Sequence, residues 1–249
     1  MRELSLFSGA GGGLLGTKIL GWRTIGYVEI EDYCQRVIKQ RIEDGIFDNA
    51  PIFSDIRTFN SEGYAEQYKG VVDVISAGFP CQPHSICGKL RGGEDERNMW
   101  PETISTIRII RPQYVWLENV TGLLTSGYFG TILESLSQSG YVGRYISLGS
   151  SFVGSLCEGQ RLWVLAIKAD CAMLEGMDIS KSFLSYQKES FRRKYTRAVC
   201  AMLSQDDYTR IKRDTNAVAR GMERLKAIGN GQDPFLVAAA WRILSEGLI

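Results

Sequence analysis

Cys81 is the residue of this chain best placed for covalent chemistry. It lies in Gly78-Phe79-Pro80-Cys81-Gln82-Pro83-His84-Ser85, after the apolar run Val71-Val72-Asp73-Val74-Ile75. That run reads as a buried strand, so the thiol falls just past a strand's C-terminal end, where open α/β sheets gather their chemistry. Pro80 and Pro83 stiffen the backbone on either side, and Gly78 permits close approach to a ligand. A thiol in a stiff loop at a strand end can serve as a nucleophile; a cysteine buried in an ordinary turn is inert. A carboxylate has a similar placement. Residues 113–117 read as a further strand that delivers Glu118-Asn119-Val120. There Glu118 can act as a general acid or hold a base edge.

The elements around these groups fit a nucleotide-binding βαβ opening. Leu4-Ser5-Leu6-Phe7 reads as the first strand, Ser8-Gly9-Ala10-Gly11-Gly12-Gly13-Leu14-Leu15-Gly16 as a glycine turn, and the chain to about residue 20 as a helix. Gly11, Gly13 and Gly16 satisfy GxGxxG, a weak signal in so glycine-rich a run. A second strand, residues 24–28, ends at Glu29, and an acidic side chain at that point can hold both hydroxyls of a ribose. These features fit NAD, FAD or S-adenosylmethionine, and Glu29 taken alone could be a solvated strand end. Residues 31–42 read as a helix and 51–54 as a short strand, with Asp55-Ile56 placed to meet an adenine. The pattern predicts a short helix over 61–68, a mobile lid or a solvated linker over 88–98, and a helix over 99–111 stopped by Pro112. A helix over 128–139, a strand over 141–148 and a strand over 162–167 complete seven strands alternating with helices.

Composition narrows the class. The 249 residues suit one large domain with at most a small insert, and 44% hydrophobic content supports a sizeable core. Six cysteines without CxxC spacing and a single histidine argue against a zinc site and a secreted disulfide framework. The first residues do not resemble a signal peptide, and no apolar run approaches the roughly 20 residues of a membrane span. A reducing, cytoplasmic setting is expected. The net charge of +1 conceals a basic stretch over 168–224, with twelve Lys and Arg against eight Asp and Glu. Arg192, Arg193, Lys194 and Arg197 flank Tyr195 there, as a phosphate-facing patch or as a solvated helix face.

Taken together, the motifs resemble the DNA cytosine-5 methyltransferases, in a small phage or bacterial form. The matching segments are Phe7-Ser8-Gly9-Ala10-Gly11-Gly12, Glu29, Asp55-Ile56, Gly78-Phe79-Pro80-Cys81-Gln82-Pro83, Glu118-Asn119-Val120, Gln160-Arg161-Leu162-Trp163 and Ile228-Gly229-Asn230-Gly231. They cover about residues 3–167 and 225–249. The resemblance implies an α/β fold: a Rossmann-like S-adenosylmethionine-dependent methyltransferase sheet with helices on both faces, plus a small target-recognition insert at 168–224. It implies S-adenosyl-L-methionine as cofactor, held by Phe7, Gly9, Ala10, Gly11, Gly12, Glu29, Ile30, Asp55, Ile56, Gly78, Pro80, Trp100, Asn230 and Gly231. It makes Cys81 the nucleophile, Glu118 its acid partner and Arg161 a catalytic arginine. Gln82, Ser85 and Arg97 would touch DNA, and so would the basic patch.

The expected substrate is a flipped-out cytosine in double-stranded DNA, acted on by a monomer with no metal and no membrane. The related alternative is tRNA methylation; a nicotinamide-dependent dehydrogenase or an inactive binding module would leave the cysteine and glutamate motifs without a role. The chain departs from the family in three places. Gly159 and Cys157 stand where an arginine and a glutamine are usual, His84 replaces an aromatic residue, and Gly231-Gln232 replaces a small residue and valine.

Overall fold

A computed structural model describes residues 1–80, 98–154, 159–169, 183–185 and 231–248. The described chain forms β1 (Arg2–Leu6), α1 (Gly12–Ile19), β2 (Arg23–Val28), α2 (Asp32–Glu43), β3 (Ile52–Phe53), α3 (Ile56–Ser61), α4 (Tyr64–Gln67) and β4 (Val74–Ala77). It continues through α5 (Trp100–Ile110), β5 (Tyr114–Val120), α6 (Tyr128–Gln138), β6 (Tyr141–Gly149), β7 (Gln160–Lys168), β8 (Phe183–Ser185) and α7 (Pro234–Ser245).

The eight strands form one sheet in the order β3-β2-β1-β4-β5-β7-β6-β8. Strands β1 to β5 are parallel. β7 runs antiparallel to both β5 and β6. The seven expected strands are all present, within an α/β sheet of the S-adenosylmethionine-dependent methyltransferase type. β8 is an eighth, parallel to β6 at the sheet edge, and it lies inside the stretch set aside as an insert. Nothing in its local pattern announced it.

Side chains alternate across the sheet with period two. Leu4 and Leu6 of β1, Ile75 and Ala77 of β4, and Val115 and Leu117 of β5 enter one core with α3 to α6. The intervening Val74, Trp116, Trp163 and Leu165 enter a second core against α7. There Trp116 stacks on Trp163 at 5.2 Å and meets Trp241 edge-on at 5.4 Å. Helix α7 is apolar nearly all round and buried, as a helix between a sheet and a neighbouring helix must be. It packs so closely on α1 that a Cβ at Gly16 would lie 2.5 Å from Val237 Cβ.

Several boundaries differ from the sequence pattern. The helix expected over 61–68 is two short ones, because Asp55 caps an earlier start: its side chain accepts from Arg57 N at 2.9 Å. The strand before Cys81 begins at Val74, not Val71, and Val71 is exposed. β5 continues through Glu118-Asn119-Val120, because all three pair with β7.

Candidate active site

β1 lies between β2 and β4; the chain leaves β1 towards β2 and leaves β4 towards β5, in opposite directions across the sheet. This is the topological switch at which open α/β sheets bind ligands. A cleft opens there over the ends of β1 and β4, walled by Phe7, Gly9, Ala10, Gly12, Gly13, Gly78, Glu118, Gly231 and Gln232.

The turn after β1 explains its own glycines. Gly9 has φ +56° and Gly11 has φ +94°, both left-handed, and Gly11 caps α1. Phe7 also has a positive φ, 55°, which is strained for a residue with a side chain and is held by the surrounding turn. Ser8 donates to Ser5 O at 3.1 Å, and Ser8 N donates to Val28 O at 3.2 Å.

Glu29 closes one side of the turn. It is 6% exposed; Gly9 N donates to its Oε2 at 2.6 Å and Glu31 N to its Oε1 at 2.8 Å. Burial pushes its pKa up, opposed by those N–H donors. Each oxygen keeps acceptor capacity for a further donor. Ile30 beside it is 57% exposed, an apolar side chain left open next to the carboxylate.

Two neighbouring expectations look different in the structure. The Asp55 carboxylate is occupied by Arg57, with Nη2 2.8 Å from Oδ2, and this ion pair lowers its pKa. Ile56 is 3% exposed and its side chain belongs to the core, so only its main chain can meet a ligand. Trp100 likewise sits in the core, packed on Phe79 at 5.2 Å with its indole N–H donating to Ser135 Oγ at 3.0 Å. It is not among the residues that wall the cleft.

At the far side, the ends of β4 and β5 are tied together. Asn119 Nδ2 donates to Phe79 O at 3.0 Å, two residues before Cys81. Glu118 points back over the cleft. Arg161 Nε lies 3.0 Å from its Oε1, and Gln232 Nε2 donates to its Oε2 at 3.1 Å. Register explains the first contact: Glu118 faces Trp163 and Val120 faces Arg161, so Glu118 and Arg161 are diagonal neighbours on one face. Burial drives the Glu118 pKa up; the Arg161 cation and the Gln232 amide pull against it. A carboxyl whose protonated form is favoured by burial can serve as a proton donor.

Gly78 lies on the cleft wall, while Pro80 is exposed beyond it. Cys81, Gln82, Ser85, Arg97, Cys157, Arg192, Arg193, Lys194, Arg197 and Asn230 lie outside the described residues. Gln232 was visible in the sequence only as a departure from the family pattern. Its partner Glu118 is 114 positions away, and no local signal joins them. Among the described residues no cluster of His, Cys, Asp and Glu could hold a metal ion. No helix among them is long and apolar enough to cross a membrane.

Comparison with known proteins agrees with this architecture. The family model for C-5 cytosine-specific DNA methylase matches residues 1–230. The Type II methyltransferase M.NgoMIV of Neisseria gonorrhoeae is 32% identical over 170 residues, 67% of this chain and 51% of that protein. The Type II methyltransferase M.CviJI of Paramecium bursaria Chlorella virus IL3A is 28% identical over 173 residues, 68% of this chain and 44% of that protein. The chain thus spans about half the length of the curated relatives it matches. Among solved structures, a Spodoptera frugiperda DNMT2 mutant aligns over 97% of this chain and 98% of its own, with TM-score 0.65 and 14% identity. The Entamoeba histolytica methyltransferase EhMeth aligns over 68% of this chain and 53% of its own, with TM-score 0.55 and 17% identity. With the family model matched over most of its length, this chain belongs to the C-5 cytosine-specific DNA methylase family.

Proposed function

We propose that the chain transfers a methyl group from S-adenosylmethionine to C5 of a cytosine flipped out of double-stranded DNA. The observation that carries this reading is the Glu118–Arg161 pair at 3.0 Å, at the end of the strand tied through Asn119 to the residues just before Cys81. The cleft fits the cofactor in its chemistry. The glycine turn brings main chain to the ligand without side chains in the way, Glu29 offers charged acceptors for ribose hydroxyls, and Ile30 offers an apolar face for a base. When bound, S-adenosylmethionine supplies an electrophilic sulfonium methyl.

The residues of the chain do the rest. Cytosine C5 is a poor nucleophile until Cys81 thiolate adds to C6 and leaves electron density at C5. Glu118, held near N3, offsets the negative charge that develops on the ring. After methylation the C5 proton leaves to a base, the C5–C6 double bond re-forms and the thiolate is expelled. The target atom is out of reach inside a duplex, so the base must leave the stack. Residues 1–167 and 225–249 form the catalytic part on this reading, and residues 168–224 meet the target.

The test is direct: incubate the chain with methyl-labelled S-adenosylmethionine and either duplex DNA or RNA of known sequence, then map 5-methylcytosine. Label at cytosine C5 in DNA is expected. Label in RNA alone would move the substrate to RNA, and label in neither would overturn the proposal.

A further inference from the structure

Glu118 is held from two directions, and the family pattern supplies only one of them. Arg161 Nε lies 3.0 Å from Oε1; Gln232 Nε2 donates to Oε2 at 3.1 Å. The amide reaches that oxygen because glycines leave it room. A Cβ at Gly13 would lie 2.6 Å from Gln232 Oε1, and one at Gly78 would lie 2.8 Å from Nε2. One at Gly12 would strike the Gln232 main chain. The backbone at this point is also fixed. Gln232 directly precedes Asp233, whose Oδ1 accepts from Phe235 N at 3.0 Å and Leu236 N at 3.4 Å, and Pro234 opens α7. The side chain therefore starts from a capped helix end and runs between the glycine turn and the end of β4. A valine here, as the resemblance would have it, has no group with which to donate.

We infer that Gln232 is a positioning residue for Glu118, fixing the carboxyl plane by holding the oxygen that Arg161 does not. The inference rests on the methyl-transfer reading, in which Glu118 meets the target base. One donor on one oxygen leaves a carboxyl free to swing about its Cγ–Cδ bond; a second donor on the other oxygen removes that freedom. A glutamine has a further property. Its N–H donates to a carboxylate, and its carbonyl accepts from a carboxylic acid once the amide plane turns over. Glu118 can thus keep this partner in both protonation states.

The test is steady-state kinetics of the full chain on duplex DNA, comparing wild type with Gln232→Met, Gln232→Glu and Glu118→Gln. Methionine keeps the length and loses the donor; glutamate keeps the shape and replaces the donor with a second carboxylate. Both should lower kcat about tenfold or more, the effect of losing one hydrogen bond to a charged group. The KM for S-adenosylmethionine should stay near the wild-type value. In both, the limb of the kcat profile governed by Glu118 should move to higher pH, because its anion has lost a donor or gained a like charge. A purely structural role would lower Tm and leave that limb in place. Wild-type kcat and an unmoved limb in the methionine variant, with Glu118→Gln inactive, would overturn the inference while sparing the reading of the site. If methionine prevents folding, the glutamate variant decides by the same criteria. Full activity of Glu118→Gln would overturn both.

Discussion

Removing the cation from Glu118 makes the sharpest test of how this site is built. Glu118 has 12% of its side chain exposed and Arg161 28%, with 3.0 Å between Nε and Oε1. Breaking a buried ion pair by deleting one partner costs about 3–5 kcal/mol. Arg161 retains some solvent, so screening puts Arg161→Met nearer roughly 2–3 kcal/mol. For a domain of this size each kcal/mol moves Tm by about 2–4 °C, so a fall of roughly 4–12 °C is expected at pH 8. The pH dependence follows from the direction of the shift. Burial already raises the Glu118 pKa above its ordinary value, against the pull of Arg161. A carboxyl raised on folding contributes stability that is complete below its unfolded pKa, about 4.3, and lost as pH rises through the folded value. Without Arg161 the folded value rises further, so more is lost at high pH. The Tm gap between variant and wild type should be widest at pH 8 and close as pH falls towards about 4.5. Other buried carboxyls, Glu3 and Glu29 among them, are common to both proteins and cancel in the difference. Adding Glu118→Gln to the variant should restore most of the gap by replacing the charge with an amide. Thermal unfolding of the three proteins across this pH range measures all of it. A gap that is absent, or constant with pH, would refute the account of a buried anion held by Arg161.

Four further outcomes are expected. Cys81→Ala should lose methyl transfer while still binding S-adenosylmethionine, and wild type should be trapped covalently on DNA carrying 5-fluorocytosine; turnover by the alanine variant would sink the nucleophile assignment. Glu29→Ala should weaken S-adenosylmethionine about ten- to hundredfold by calorimetry, since a hydrogen bond to a charged group contributes roughly 1.5–3 kcal/mol. Gly78→Ala, whose Cβ would lie 2.8 Å from Gln232 Nε2 and 3.2 Å from Glu118 Oε2, should cut kcat while Tm changes little, read from parallel kinetics and melting curves. Arg193→Ala should weaken DNA binding alike on all sequences and reduce the salt slope by about one, as loss of a phosphate contact does; a change in the methylated motif instead would make Arg193 a base reader.

What the sequence made legible was what is local. The glycine turn, the Glu29 strand end and the Glu118-Asn119 strand end each sit within a few residues of an apolar run, so period and punctuation place them. Helix boundaries were less secure. Asp55 serves as an N-cap, and the capping hydrogen bond places the helix start five residues before the expected one. Motif position points Ile56 and Trp100 towards a ligand; burial is a property of the packed core, and both side chains lie in it. β8 has three residues and exists through pairing with β6, which no window of its own sequence encodes. Gln232 is the same lesson at the site, since its meaning lies in a contact across 114 positions.

The reversal of β7 explains why Glu118 and Arg161 meet at all. In the parallel part of the sheet, each strand brings its last residues to the cleft edge, and its first residues lie at the opposite edge. Glu118 is near the end of β5, so a parallel neighbour would place its own last residues beside it. Running antiparallel, β7 instead brings its second residue, Arg161, to that edge. α7 reaches the same edge by the other route available. It packs on the sheet with its N-terminus towards the cleft, so the residues just before it, Gly231 and Gln232, line the site. Three distant segments, at residues 118, 161 and 232, therefore converge on one carboxyl because one strand is reversed and one helix starts where its neighbours' strands end. A strand order without that reversal would need a different residue, from the far end of β7, to hold Glu118.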